Sequence, residues 1–258
     1  MKNIKSIFYK RLLLSHLNEK IKLDLIKYNK CLQNILDISL INYKVYSGKY
    51  IIYEKDRKGK LYNAYEDRLL FEGEFLNGKK HGKGKEYTYI GKINFEGEYL
   101  NGIINGKGKE YFDDGKIKYE GNYLNGLRHG EGILYYNNGK IRFMGEYSYG
   151  RIWNGKVFDC YWKKFFEIIN GAGYIRDYDY SGKILLSEGP YSNGEKNGEQ
   201  KDYYDNGNIQ FEGQYINGKP NGHGKKYETN GNLRFEGDYI NGIAWNGIQY
   251  DYVNNTIF

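Results

Sequence analysis

The feature that most constrains the fold is an eight-residue motif, seen as FEGEYLNG, that recurs every 24 residues. Six copies begin with an aromatic residue, at Phe71, Phe95, Tyr119, Phe143, Phe211 and Phe235. A weaker copy begins at Ser187, 24 residues before Phe211, and keeps the Glu-Gly, Tyr and Asn-Gly positions. A fixed period of this length indicates that one supersecondary unit is repeated and stacked against its neighbours.

Within one unit, apolar and polar residues alternate with a period of two. Ile93, Phe95, Gly97 and Tyr99 alternate with polar residues, which predicts a strand with one packed and one solvated face. Residues 85–89 are expected to form a shorter second strand. Asn-Gly and Asp-Gly accept positive φ at low cost, so tight hairpin turns are predicted at Gly91-Lys92, Asp114-Gly115, Asn138-Gly139 and Asn206-Gly207.

A second, longer connection is predicted between units, over residues 77–84 in the first copy. The residue before its central glycine is always His or Asn, which suggests a left-handed backbone there: His81, Asn105, His129, Asn197 and Asn221. Gly97 and its equivalents fall on the packed face, where a missing Cβ lets an aromatic ring lie across the strand. Valine at such a position is expected to clash with that ring.

The glycine spacing resembles that of the MORN repeat family. Tyr119-x-Gly121, Gly126, Gly130 and Gly132 fit its pattern Tyr-x-Gly-x-x-x-x-Gly-x-x-x-Gly-x-Gly, and similar matches extend over roughly residues 48–250. The resemblance implies an elongated, single-layer antiparallel sheet of tandem β-hairpins that works as an assembly scaffold or interaction module, sometimes near membranes. The fold class expected is therefore mainly β, with a helical segment at the N-terminus.

Four regions follow from this organisation. Residues 1–45 are predicted to form a helical cap or docking element. The stretch 4–41 contains no Gly or Pro, and Leu13, Leu17, Ile21 and Leu25 lie on one stripe of a helix. Repeats are expected over 46–150 and 187–258. Between them, 151–186 departs from the 24-residue period and is interpreted as an irregular insert with a truncated hairpin.

Composition argues against secreted and membrane-spanning classes. The two cysteines, Cys31 and Cys160, form no disulfide framework, and no run approaches the ~20 apolar residues that a membrane span needs. The expected location is intracellular and cytoplasmic, with membrane association left open. Charge is uneven, because residues 1–60 hold 14 Lys/Arg against 5 Asp/Glu, whereas the whole chain carries a net charge of +7.

No residue pattern predicts catalysis, a metal site or a cofactor. The glutamates Glu72, Glu96, Glu120, Glu212 and Glu236 recur with the repeat, whereas a catalytic pair needs a singular environment. They are interpreted as a solvated face that pairs with lysines across strands. The recurring Gly-Lys-Gly-Lys is interpreted as turn chemistry, because no helix follows it to complete a phosphate cradle.

The aromatic residues form three columns with the repeat period. The first two contain the motif's Phe/Tyr positions, and the third contains Tyr87, Tyr111, Tyr135, Tyr203 and Tyr227. Most are expected to be the array's own core. The alternative is a partner groove, with candidate contact residues Tyr87, Tyr99, Tyr111 and Tyr123, together with the irregular patch formed by Trp153, Phe158, Tyr161, Trp162, Phe165 and Phe166.

The favoured function is a non-catalytic scaffold that binds other proteins. One alternative is a peripheral membrane or phosphoinositide-binding module, in which basic residues of the N-terminal segment meet anionic lipid: Lys10, Arg11, Lys20, Lys22, Lys27 and Lys30. Another is a ubiquitin-ligase adaptor with an F-box-like N-terminus. Nucleic-acid binding is disfavoured by the nearly neutral repeat body, and self-association through an edge strand at 248–253 stays open.

Overall fold

A computed structural model describes residue 16 and residues 48–159, 164–251 and 256–257. All regular elements in these ranges are β-strands, so the chain is mainly β as predicted. The proposed N-terminal helical segment lies outside the described residues. The described chain divides into two compact units, one up to Ile93 and one from Asn94 onwards.

The first unit contains four antiparallel strands that pair in sequence order. They are β1 (Lys49–Tyr53), β2 (Lys58–Asn63), β3 (Leu69–Leu76) and β4 (Lys79–Tyr87). Phe71 and Phe75 on β3 are buried, and their rings meet edge to face with centroids 5.3 Å apart. The alternation of the motif therefore places the aromatic positions on one packed face.

The second unit contains two antiparallel sheets. The first consists of β5 (Ile93–Leu100), β6 (Ile103–Tyr111), β7 (Ile117–Leu124), β8 (Leu127–Tyr135), β9 (Ile141–Ser148), β10 (Arg151–Phe158) and β11 (Phe165–Ile168), paired in that order. The second consists of β12 (Gly173–Tyr178), β13 (Leu185–Ser192), β14 (Glu195–Lys196), β15 (Gly198–Tyr203), β16 (Ile209–Ile216), β17 (Lys219–Tyr227), β18 (Leu233–Ile240), β19 (Ile243–Asp251) and β20 (Thr256–Ile257).

The expected single sheet is therefore interrupted within this unit. After β11 the ladder ends, and only an isolated bridge between Ile169 and Ala172 precedes β12. The break falls in the irregular segment 151–186, where the Asn170-Gly171 turn follows a strand of only four residues. A shortened unit cannot present a full-length strand to its neighbour, so pairing restarts at β12.

The tight turns lie elsewhere than predicted. Asn77 and Gly78 both have positive φ, 50° and 75°, and form the two-residue turn between β3 and β4. Residues 79–87, expected to be mostly loop, are strand. The predicted tight-turn sites are longer connections, as in Phe112–Lys116, where Phe112 N donates to Lys116 O at 2.9 Å.

The predicted left-handed position was also wrong. His81, Asn105, His129, Asn197 and Asn221 are not among the described residues with positive φ. In the two-residue turns of the described repeats, the left-handed non-glycine residues are instead Asn77, Asn101, Asn125, Tyr149, Asn170, Asn193, Asn217 and Asn241. Asparagine is favoured there because its short polar side chain tolerates this backbone conformation.

The packed face is dense because aromatic rings lie directly over glycine residues of the neighbouring strand. A Cβ on Gly108 would lie 2.4 Å from Phe95 Cζ, and a Cβ on Gly97 would lie 2.8 Å from the same atom. Gly97 and Gly108 also face each other across β5 and β6. The expectation that valine at Gly97 would clash with a ring is therefore confirmed, and the facing backbone adds a second obstacle.

The connection after β12 packs against the first sheet of the second unit. Asn137 N donates to Tyr180 O at 2.9 Å, and the Phe112 and Tyr180 rings meet edge to face at 5.7 Å. The Arg142 guanidinium pairs with Asp177. These contacts fix the start of the second sheet against the end of the first.

Candidate interaction surface

The packed face of the second unit is filled by its own aromatic rings. Tyr99 and Tyr123, two of the candidate partner contacts, are buried, with exposed fractions of 3% and 7%. Phe95 meets both rings edge to face, at centroid distances of 5.8 Å and 5.4 Å. The first two aromatic columns therefore form the core, as the favoured interpretation expected.

The ion pair between Arg128 and Glu110 lies within this aromatic face. Arg128 donates through Nε and Nη2 to the two carboxylate oxygens of Glu110 at 2.9 and 2.8 Å, while the Tyr123 hydroxyl donates to Glu110 Oε1 at 2.7 Å. The guanidinium lies 4.2 Å from the Tyr119 ring centroid. Although burial alone would raise the pKa of Glu110, these donors and the Arg128 charge hold it below its ordinary value.

The third tyrosine column lies on the opposite, outer face and is therefore not part of the core that the first two columns form. Each hydroxyl donates to the glutamate fifteen residues earlier in the chain, at 2.5 to 2.7 Å: Tyr87–Glu72, Tyr111–Glu96, Tyr135–Glu120, Tyr203–Glu188 and Tyr227–Glu212. Burial and the adjacent carboxylate raise the pKa of Tyr87, Tyr135 and Tyr227 to about 12. The partner candidates Tyr87 and Tyr111 are thus half-buried and hydrogen-bonded.

Charges alternate across the outer face. In the second sheet, the facing residues on successive strands are Arg176, Glu188, Lys201, Glu212, Lys225 and Glu236. Arg176 Nε lies 2.8 Å from Glu188, and Lys225 Nζ lies 3.1 Å from Glu236. The predicted cross-strand pairing of the repeated glutamates with lysines is confirmed for Glu236 with Lys225 and for Glu120 with Lys109, and the tyrosine hydrogen bonds add to it.

An exposed apolar ridge runs along the two-residue turns of the first sheet in the second unit. It consists of Leu100, Ile103, Leu127 and Tyr149, whose exposed fractions range from 47% to 61%. Leu100 faces Ile103 beside one turn, Leu127 directly follows the next turn, and Tyr149 is the first residue of the turn after that. Sequence reasoning missed this ridge, although Leu100-Asn101-Gly102-Ile103 and Leu124-Asn125-Gly126-Leu127 place apolar residues on both sides of the turn.

The irregular aromatic patch is only partly brought together. Phe158 and Phe165 lie 6.1 Å apart between ring centroids, and Phe166 lies 5.8 Å from Tyr174. Phe165 is 51% exposed, whereas Trp153 is half-buried. The candidates Tyr161 and Trp162 lie outside the described residues, as do the six basic residues proposed for membrane contact.

The described residues contain no group of three or more His, Cys, Asp or Glu side chains arranged to hold a metal ion. Within the same ranges, no helix is long and apolar enough to cross a membrane. The glutamates that accept from the third tyrosine column recur with the repeat: Glu72, Glu96, Glu120, Glu188 and Glu212.

Comparisons with known proteins agree with the repeat architecture. A family model described as MORN repeat matches residues 71–92, 95–117, 119–141 and 211–232, and one described as MORN repeat variant matches residues 196–217. No curated protein matches the chain. One similar solved structure is the crystal structure of a mutant of S. aureus TarM in complex with fondaparinux, alpha-GlcNAc-glycerol and UDP, at 12% identity and a TM-score of 0.24. The match covers 63% of this chain and 27% of that one, and at this score it carries no argument.

Proposed function

The chain belongs to the MORN repeat family, and on that premise we propose that it is a non-catalytic scaffold that binds other proteins. Repetition supports this proposal, since equivalent surfaces recur at each unit and the described residues contain no singular polar constellation. A scaffold uses such a surface to hold partners, and the chemistry of the surface then decides which partners bind.

The observation that carries the proposal is the exposed ridge Leu100, Ile103, Leu127 and Tyr149. Exposed apolar side chains are the groups that gain most when a partner covers them. The ridge continues from turn to turn, so a partner segment would contact several units at once.

The test is affinity capture from the native cells, with quantitative comparison of variants. A double variant, Ile103→Asp and Leu127→Asp, places two charges on the ridge with little effect on the packed face. Partners that depend on the ridge should fall at least tenfold in this variant, since each buried charge in an interface costs on the order of 1–3 kcal/mol. Circular dichroism checks that the variant remains folded.

The matched control is Met144→Asp. Met144 is 43% exposed on the outer face, so the substitution makes the same chemical change away from the ridge. A separate Phe165→Asp variant tests the irregular aromatic patch. An identical partner list for wild type, ridge variant and patch variant would contradict the proposed use of these surfaces.

A second candidate is peripheral membrane binding through the N-terminal segment. The excess of basic residues in 1–60 favours it, because each Lys or Arg near an anionic surface contributes about 1 kcal/mol. Sedimentation with vesicles containing phosphatidylserine or a phosphoinositide tests it, comparing the full chain with a variant in which Lys10, Arg11, Lys20 and Lys22 become Ser. Equal sedimentation of the two proteins would remove this candidate.

A further inference from the structure

On the packed face, two buried tyrosines donate to an internal carboxylate. The Tyr123 hydroxyl donates to Glu110 Oε1 at 2.7 Å, and the Tyr215 hydroxyl donates to Asp202. Each acid lies thirteen residues before its tyrosine and on the strand that pairs with it. The two acids therefore share one position in the repeat, which we call the carboxylate position.

Cations surround the acid at this position. Arg128 donates two hydrogen bonds to Glu110, and Lys118 Nζ lies 3.9 Å from Glu110 Oε2. Asp202 pairs with Lys196. The tyrosine hydroxyl thus gains an acceptor, while the cations balance the charge of the acid.

The unit formed by β18 and β19 has the tyrosine but not the acid. Lys226 stands thirteen residues before Tyr239 and lies opposite Phe235. Glu110 and Asp202 have the same register with the aromatic residue of their neighbouring strand. Lys226 belongs to β17, which is paired with β16 on one side and β18 on the other, so the replacement does not depend on where the sheet ends.

The Tyr239 hydroxyl is left without an acceptor. Tyr239 is 5% exposed, and its hydroxyl oxygen is buried without a hydrogen-bond partner among the residues that the structure describes. Its ring meets those of Phe211 and Phe235 edge to face, at centroid distances of 5.1 and 5.4 Å, which holds the side chain in the packed face. An unpaired buried hydroxyl costs free energy, so an acceptor that reaches it is stabilising.

Two cations belong to the same position. Lys226 is exposed, and within the described ranges its ammonium group forms no ion pair or hydrogen bond. Arg234 directly precedes the first aromatic residue of its unit, as Lys118 does. Burial raises the pKa of Tyr239 and the charge of Arg234 lowers it, which indicates that the guanidinium is near the ring. Arg234 Nε is 3.4 Å from Glu228 in an exposed pair.

The junction between the two sheets shows that such a position accepts an acid from another segment. Leu134 occupies the carboxylate position before Tyr147. There Arg142, the equivalent of Arg234, pairs with Asp177 from the start of the second sheet. The Tyr147 hydroxyl is also unpaired, but its arginine already holds an acid of this chain and its carboxylate position is apolar.

We propose that the Tyr239 hydroxyl, Lys226 and Arg234 form a binding site for a carboxylate group that comes from outside the chain. One carboxylate oxygen accepts from the hydroxyl, and the two cations balance the charge, as the groups around Glu110 do. The exposed, flexible Lys226 side chain moves to admit the group. A small free carboxylate and the side chain of an acidic residue share this chemistry, and the experiment separates them.

The experiment titrates the full chain, labelled with carbon-13 at the tyrosine Cζ atoms, with sodium acetate at constant ionic strength. The Cζ chemical shift responds to a hydrogen bond at the hydroxyl, and the Tyr239→Phe variant identifies the signal of Tyr239. That signal should shift saturably with acetate. Sodium chloride over the same range should leave it in place, because chloride lacks the paired oxygens of a carboxylate.

Lys226→Glu restores the internal acid and should close the site. Acetate affinity should fall about tenfold or more, and the midpoint of urea denaturation should rise because the hydroxyl gains an acceptor. Lys226→Met removes the charge without adding an acceptor, so it should weaken binding about fivefold without raising the midpoint. The matched control is Lys219→Glu, which makes the same charge change at an exposed position of β17 and should leave the affinity within about twofold.

A tripeptide with a central glutamate and blocked ends separates the two sources, with its glutamine version as the control. Binding about tenfold tighter than acetate assigns the site to an acidic side chain, and equal binding assigns it to a free carboxylate; both results support the site. An unmoved Tyr239 signal, an equal shift with chloride, tighter binding of inorganic phosphate than of either carboxylate, or unchanged affinity in Lys226→Glu overturns the proposal. These measurements use the isolated chain, so they succeed or fail independently of partner capture by the ridge.

Discussion

Two neighbouring units of the second sheet solve the same packing problem with opposite residues. In the regular unit, Phe211 lies over Gly224, and a Cβ on that glycine would lie 2.5 Å from Phe211 Cζ. In the preceding unit, Ser187 stands at the aromatic position and Gln200 at the glycine position. Both are buried, at 3% and 1% exposure, and the Gln200 amide donates to Pro190 O.

The comparison shows that the repeat preserves filled volume and not a residue type. A large side chain from one strand occupies the space over a small residue of the next, and which strand supplies it can be exchanged. A Cβ on Gly189 would lie 2.5 Å from Gln200 Cδ, so the glutamine side chain fills the region that a ring fills elsewhere. Dense packing tolerates this exchange only when both positions change together.

The outer faces of the two units do not differ in this way. Tyr203 donates to Glu188 at 2.7 Å in the irregular unit, and Tyr227 donates to Glu212 at 2.6 Å in the regular one. The exchange is therefore confined to the packed face, where volume is limiting, while the solvated face keeps its polar pairs.

The largest expected effect comes from removing the ring in the regular unit. Phe211→Ala should lower the free energy of unfolding by about 3–5 kcal/mol, because Phe211 is 6% exposed and packs on Tyr215 and Tyr239. Ser187→Ala, at the equivalent position, should cost about 1 kcal/mol. Urea denaturation followed by tyrosine fluorescence measures both, and similar losses would show that the two positions do not differ in packing.

A smaller change in the free energy of unfolding should show directly that Ser187 and Gln200 fill the same space as Phe211 and Gly224 do in the regular unit. Gln200→Gly should cost about 2 kcal/mol by leaving a cavity, and Ser187→Phe about 1–3 kcal/mol by overpacking against Gln200. The double variant recreates the regular pair, so it should be more stable than the sum predicts by about 1–3 kcal/mol. Additive losses in the double-mutant cycle would mean that these residues do not share one space.

The smallest effect concerns the outer face at alkaline pH. Burial and the Glu212 carboxylate raise the pKa of Tyr227 to about 12, above the value of about 10 for a free phenol. The neutral phenol is thus favoured in the folded state, and its contribution is full below about pH 10 and lost as pH rises towards 12. Glu212→Gln should lower the tyrosine titration midpoint, measured by absorbance at alkaline pH, and should change stability by about 1 kcal/mol or less.

Glu188→Gln is the matched change in the irregular unit, where the pKa of Tyr203 is likewise raised by burial and by its glutamate. Both variants should change the tyrosine titration midpoint and the stability by similar amounts if the exchange of side chains on the packed face does not affect the outer face. A clear difference between them would show that packing on one face alters the hydrogen bonds on the other.

Some features of the candidate surface could be predicted from the sequence pattern, and others could not. The buried Tyr99 and Tyr123 follow from alternation along the strand, because a period of two assigns side chains to a face. The placement of Tyr87 on the other face did not follow, since a bulge between the strands shifts the register by one residue, as seen between Glu110 and Tyr111. The ridge around Ile103 was missed because exposure depends on what neighbouring units leave uncovered.

By itself, the sequence determined the repeat, its strand character and the residues that fill the packed face, because these depend on local alternation and on a fixed period. Tertiary structure alone decided which Asn-Gly closes each hairpin, where the ladder breaks after β11, and that Trp245 is exposed while Trp153 is covered. The physical reason is that β10 and β19, which share the Trp-Asn-Gly sequence, differ in the segment that pairs with their outer edge. Which segment lies beside a strand is decided by the folded sheet and not by the local sequence.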